Sequence, residues 1–93
     1  LERDGVVTDV SIIIPILNEE ENLPPLIDEI TETMGDRAYE IVFVDDGSKD
    51  DSWRVIEKLV DSDPSRVIGI RFARNYGKSA ALNEGFKAAN GRV

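Results

Sequence analysis

Three short apolar runs rich in β-branched residues alternate with three longer segments in which apolar residues recur every three to four positions. The runs are "VSIIIP" at 10–15, "YEIVFV" at 39–44 and "RVIGIRFA" at 66–73. Their length suits strands buried on both faces and is too short for helices. After the first run, Leu23, Leu26, Ile27, Ile30 and Met34 make one helical stripe; after the second, Trp53, Ile56, Leu59 and Val60 make another. After the third, Ala81, Leu82, Gly85, Phe86 and Ala89 share a face. The first helix starts at Asn18, three residues before Glu21, or at Asn22, because Pro24 and Pro25 push the residues before them out of the helical region. Asp63 and Pro64 stop the second, and Gly91 is the expected C-terminal cap of the third. Residues 1–9, "LERDGVVTD", carry no such pattern.

Strands alternating with helices imply right-handed crossovers and a parallel sheet covered by helices. The expected fold is α/β, a Rossmann-like parallel sheet of three strands in the order 3-2-1 with three helices, over residues 10–93. Ligands of such sheets bind outside the carboxyl ends of the strands, so the three loops that follow the strands are where chemistry should lie.

Composition narrows that chemistry. A chain of 93 residues holds one small domain, and a formal charge of −8 repels a nucleic-acid duplex over most of the surface. Without cysteine or histidine there is no disulfide, thiolate or imidazole, so a metal would need oxygen ligands. No apolar run approaches the roughly 20 residues of a membrane span, and the N-terminus lacks the order of a signal peptide, which reads as cytoplasmic.

The loops differ in what they offer. "PILNEEEN" lacks the close glycines of a dinucleotide site, and no stretch has the spacing of a Walker phosphate loop. Asn18 and Glu19 can face a ligand there, or simply begin a helix. The second loop, "DDGSKDD", places Asp45, Asp46, Asp50 and Asp51 within seven residues. Capping accounts for Ser48 or Asp50 but not for Asp45 and Asp46, which repel each other unless a donor or cation intervenes. Contact with ribose hydroxyls or a base imino group is the reading preferred; magnesium, or an Asx-type turn with Gly47 at positive φ, are the others. The third loop gathers Arg71, Arg74 and Lys78 before a helix N-terminus, which suits a phosphate, unless these cations pair with the acidic loop.

Together, "SIIIPILNEEENL", "EIVFVDDGSKDDS" and "RNYGKSAALNEGFKAANG" resemble family 2 inverting glycosyltransferases of the GT-A fold, nearest to the polyprenol-phosphate sugar transferases. The resemblance runs from Val10 to Val93. It implies transfer of a sugar from a UDP- or GDP-sugar to a polyprenyl phosphate, with this chain supplying the nucleotide-binding part. It puts Pro15, Leu17, Asn18 and Glu19 against base and ribose, Val44, Asp45, Asp46, Gly47 and Ser48 at the base edge and ribose, and Arg74 and Lys78 at base or phosphate. Relatives continue into a fourth strand ending in an Asp-x-Asp motif that binds Mg²⁺ or Mn²⁺. That motif is missing here, so no tight metal binding, no catalytic residue and no transfer by these 93 residues alone are expected. An uncovered first strand further implies a homodimer or swapped assembly through Val10 to Ile14. Two other readings stand beside this one: a phosphoacceptor receiver-like module, whose acidic pair should follow strand one, and a folded half-domain that binds nothing.

Overall fold

A computed structural model describes residues 9–90, together with the backbone of Glu2–Arg3 and Val6–Val7. Those two segments are strands β1 (Glu2–Arg3) and β2 (Val6–Val7), paired antiparallel with Arg3 opposite Val6. The N-terminal stretch thus carries a small hairpin where the hydrophobic pattern shows none, and the Asp4-Gly5 pair between the strands is a sequence that favours hairpins. There follow β3 (Val10–Ile16), α1 (Leu23–Met34), β4 (Tyr39–Asp45), α2 (Ser52–Ser62), β5 (Val67–Arg71) and α3 (Lys78–Ala88).

β4 lies between β3 and β5 and is parallel to both, with Ile12 opposite Ile41 and Val42 opposite Ile68. This is the expected 3-2-1 order, and the fold is α/β and Rossmann-like. Every residue of β4 is buried, which is why it reads as a continuous apolar run instead of an alternating one. Successive side chains still point to opposite faces. Ile41 and Phe43 pack with Leu23 of α1 and Ile56 of α2, whereas Val42 and Val44 pack with Ala81 of α3.

Helix ends follow local chemistry. Asn22 rather than Asn18 precedes α1, and Pro24 and Pro25 fall in its first turn, where an amide proton has no helical partner to lose. α3 stops at Ala88 with Ala89 extended; the expected cap at Gly91 lies outside the described residues. Its core face also differs from the expected stripe, for Phe86 is 49% exposed while Ala81 and Gly85 are buried. The small residues let the helix approach the sheet so closely that a Cβ on Gly85 would lie 2.3 Å from Ile13 Cγ2 and 3.4 Å from Val44 Cγ2. Glu40, fully buried near the amino end of β4, accepts hydrogen bonds from the Ser11 hydroxyl and the Asn90 amide, and so ties the chain beyond α3 to the sheet. No described helix is long and apolar enough to cross a membrane.

Gly85→Ala separates packing from propensity. Alanine favours an isolated helix by about 1 kcal/mol, yet overpacking at this contact costs about 1–3 kcal/mol. The expected outcome is a net loss of stability, read as a lower urea midpoint with an unchanged slope.

Candidate functional site

The carboxyl ends of β3, β4 and β5 release three loops at one edge of the sheet. The second is built by its own acids. Asp45, fully buried, accepts the Ser48 amide on Oδ1 at 2.9 Å, which folds the chain back over Gly47. Its Oδ2 is buried without a hydrogen-bond partner among the described residues. Asp46, 4% exposed, reaches the third loop: Oδ1 accepts the Tyr76 amide at 2.7 Å and Oδ2 the Gly77 amide at 3.0 Å. Its own amide donates to the Ile16 carbonyl at 2.8 Å. The donors that relieve the repulsion between Asp45 and Asp46 are therefore the protein's own backbone amides.

First and second loops are joined by further exchanges. The Asn18 amide donates to Ser48 Oγ at 2.9 Å, and Asn18 Oδ1 accepts the Lys49 amide at 2.8 Å. Asn18 takes φ +53°, a left-handed conformation that asparagine tolerates. The Glu19 amide donates to Ser52 Oγ at 2.8 Å. Asp50 accepts the amides of Ser52 at 2.9 Å and Glu20 at 3.3 Å, so it serves the start of α2 from one position before the N-cap Asp51. Gly47, at φ +80°, lies flat on the third loop; a Cβ there would be 2.4 Å from the Arg74 carbonyl carbon.

These contacts divide the expected site residues. A cleft of about 230 Å³ between the first and third loops is lined by Pro15, Ile16, Leu17, Asp46, Asn75, Gly77 and Lys78. Pro15, Leu17, Asp46 and Lys78 among them were expected from sequence, and Ile16, Asn75 and Gly77 were not. Gly47, Ser48 and Arg74 line a separate cavity on the β5 side. Asn18 and Glu19 border a shallow acidic hollow instead, where Glu19 Oε2 accepts Asn22 Nδ2 at 2.6 Å. Val44 and Asp45 are fully buried and line neither cavity. The alternative, that the loop-three cations pair with the acidic loop, is not met, since the ion pairs among the described residues are Arg66–Asp63 and Lys87–Glu84.

A divalent ion finds no ready ligand set in this arrangement. Among the described residues no group of three or more acidic side chains could hold one, and Asp45 and Asp46 already bind amides. No chemical step through a metal can be assigned to these residues.

Parallel order, helices on both faces and a carboxylate-lined cleft at the carboxyl edge define a Rossmann-like unit with a cleft at its strand ends. The profile of glycosyl transferase family 2 matches residues 11–93, and the chain belongs to that family. The receiver-like reading falls with this, and its acidic pair would in any case follow the wrong strand. Undecaprenyl-phosphate 4-deoxy-4-formamido-L-arabinose transferase of Pseudomonas fluorescens (strain SBW25) is 43% identical over 86 residues, which is 90% of this chain and 25% of that protein. The protein of the same name from Yersinia pestis (strain Pestoides F) is 41% identical over 87 residues, 91% of this chain and 27% of its own length. Among solved structures, the mannosyltransferase PcManGT from Pyrobaculum calidifontis, in complex with GDP-Man and Mn²⁺, is similar with a TM-score of 0.76 at 24% identity. That likeness covers 96% of this chain and 28% of that one and concerns the fold. The chain thus spans about a quarter of the length of these curated relatives.

Two outcomes follow from the loop geometry. Gly47→Ala forces a side chain into the Arg74 backbone at a positive φ, and should cost about 2 kcal/mol or more, measured by urea unfolding. The Asp50 carboxyl is held below its ordinary 3.8 chiefly by the Ser52 side chain, with partial burial acting the other way and the amides of Ser52 and Glu20 adding to the lowering. A lowered folded value means the contribution is present above pH 3.8 and is lost as pH falls through the lowered value. Asp50→Asn should therefore flatten the acid limb of the stability–pH curve below that pH, followed by circular dichroism.

Proposed function

We propose that this chain binds the donor of a sugar transfer, holding the nucleoside of a UDP- or GDP-sugar in the cleft between the first and third loops. The observation that carries this is Asp46. Asp46 lines the cleft, and its carboxylate, fixed by two amides, keeps acceptor capacity beyond them, since an ionised carboxylate offers about four lone-pair positions. A base imino group or a ribose hydroxyl can donate to the positions that remain. Lys78, also in the cleft lining, supplies positive charge where the donor's phosphates leave the nucleoside. Pro15 and Leu17 give an apolar wall for the flat face of a base.

Family membership and the named relatives support the wider reading, in which the acceptor is a polyprenyl phosphate and the whole protein is a transferase. The GDP-Man and Mn²⁺ of the structural neighbour support a nucleotide-sugar donor and a divalent ion for the complete enzyme. Here the chain's own share is to bind and orient the nucleoside, which fixes one end of the donor so that its sugar is presented in a single direction.

Calorimetry of the chain with GDP and with UDP tests this. Heat of binding is expected with at least one, and Lys78→Ala, at an exposed position, should weaken it about tenfold, the worth of one charge-assisted hydrogen bond. A folded sample that gives no heat with either nucleotide would sink the reading.

A further inference from the structure

The cavity on the β5 side is larger than the cleft, at about 540 Å³, and its lining is of a different kind. It includes Ser48, Lys49, Arg71, Phe72 and Arg74, and shares with the cleft only Asn75. Three of its lining residues are cations and none is a carboxylate, in a chain whose net charge is −8. None of the three takes part in the ion pairs found among the described residues. Of the carboxylates close by in sequence, Asp45 is engaged by the Ser48 amide, Asp46 by Tyr76 and Gly77, and Asp50 by Ser52 and Glu20, while Asp51, exposed at the start of α2 without a side-chain cap hydrogen bond, lines neither cavity.

The guanidinium groups are also held in place. Arg71 lies 5.7 Å from the ring centroid of Trp53, and Arg74 lies 4.8 Å from that of Tyr76. Stacking of this sort restrains the guanidinium plane while its edge N–H groups stay available, so less freedom is lost when an anion arrives. Unpaired cations lining one hollow repel one another, and a phosphate with two negative charges offsets that repulsion while accepting several donors at once.

We infer that this cavity is a second anion site, taking the phosphate or diphosphate group of a molecule other than the nucleotide held in the cleft. Free phosphate compounds and the phosphate headgroup of a lipid share this chemistry. The site stands on its own lining and does not depend on the nucleotide assignment.

Calorimetry with sodium pyrophosphate, and flotation with phosphatidylcholine vesicles with or without phosphatidic acid, test it on three forms of the chain. These are the parent, the double variant Lys49→Gln with Arg71→Gln, and Lys78→Ala. Pyrophosphate is expected to bind the parent more weakly as salt rises, and the double variant at least about tenfold more weakly than the parent, one lost charge-assisted contact being worth about that factor. Lys78→Ala should weaken pyrophosphate binding less than the double variant does, and the double variant should leave the GDP or UDP heats unchanged. Flotation that requires phosphatidic acid and is competed by pyrophosphate assigns the lipid source; pyrophosphate binding without flotation assigns the soluble one. The inference is overturned if a folded parent binds neither probe, or if binding survives in the double variant and is lost in Lys78→Ala. Missing nucleotide heats with the pyrophosphate results intact would remove only the nucleotide reading.

Discussion

One residue, Asp46, joins the three strand ends and loops at the carboxyl edge of the sheet. Its amide reaches the Ile16 carbonyl at the end of β3, and its carboxylate takes two successive amides of the third loop. Hydrogen bonds to a charged acceptor are stronger than neutral ones, so this carboxylate supports a loop that has no regular secondary structure of its own. The cleft owes its shape to that support. Pro15 and Leu17 stand on one wall and Asn75, Gly77 and Lys78 on the other, with the tie between them at Asp46.

The electrostatics follow from the same arrangement. A chain with nineteen acidic and eleven basic residues would be expected to neutralise its cations wherever they gather. At the loop edge it does the opposite, because Asp45, Asp46 and Asp50 are directed to backbone amides. Hydrogen bonds from amides satisfy a carboxylate without cancelling its neighbours' positive charge, so Lys49, Arg71, Arg74 and Lys78 remain available to anions. An acidic protein can in this way present a locally basic rim, which concentrates anionic ligands there and makes their association sensitive to salt.

Much of the fold was legible in the sequence because the strands are short, apolar and bounded by polar loops, and because helical stripes separate them. The site was legible in part. Asp45 and Asp46 look equivalent as neighbours in a string, but side chains alternate along a strand. Extending the period of β4 puts Asp45 with Ile41 and Phe43, on the side of α1 and α2, while Val42 and Val44 face α3. That alternation was available in sequence and would have separated the two carboxylates. The capture of the Tyr76 and Gly77 amides by Asp46 was not, since thirty residues separate the partners and no local pattern marks a backbone donor. Phe86 was misplaced for a related reason: a helical stripe gives the direction of a face but not how closely it approaches, and Gly85 sets that distance.

Gly47 lies against the backbone of Arg74 and Asn75 instead of against side chains. A contact between two main chains constrains both loops whatever residues they carry, so the frame of the cleft is insulated from most substitutions around it. Leu17 is 43% exposed, and Asn75 is exposed too. Their side chains belong to the cleft lining but not to its frame. The residues that face the cleft can therefore be exchanged one at a time, while the main-chain scaffold that presents them keeps its shape.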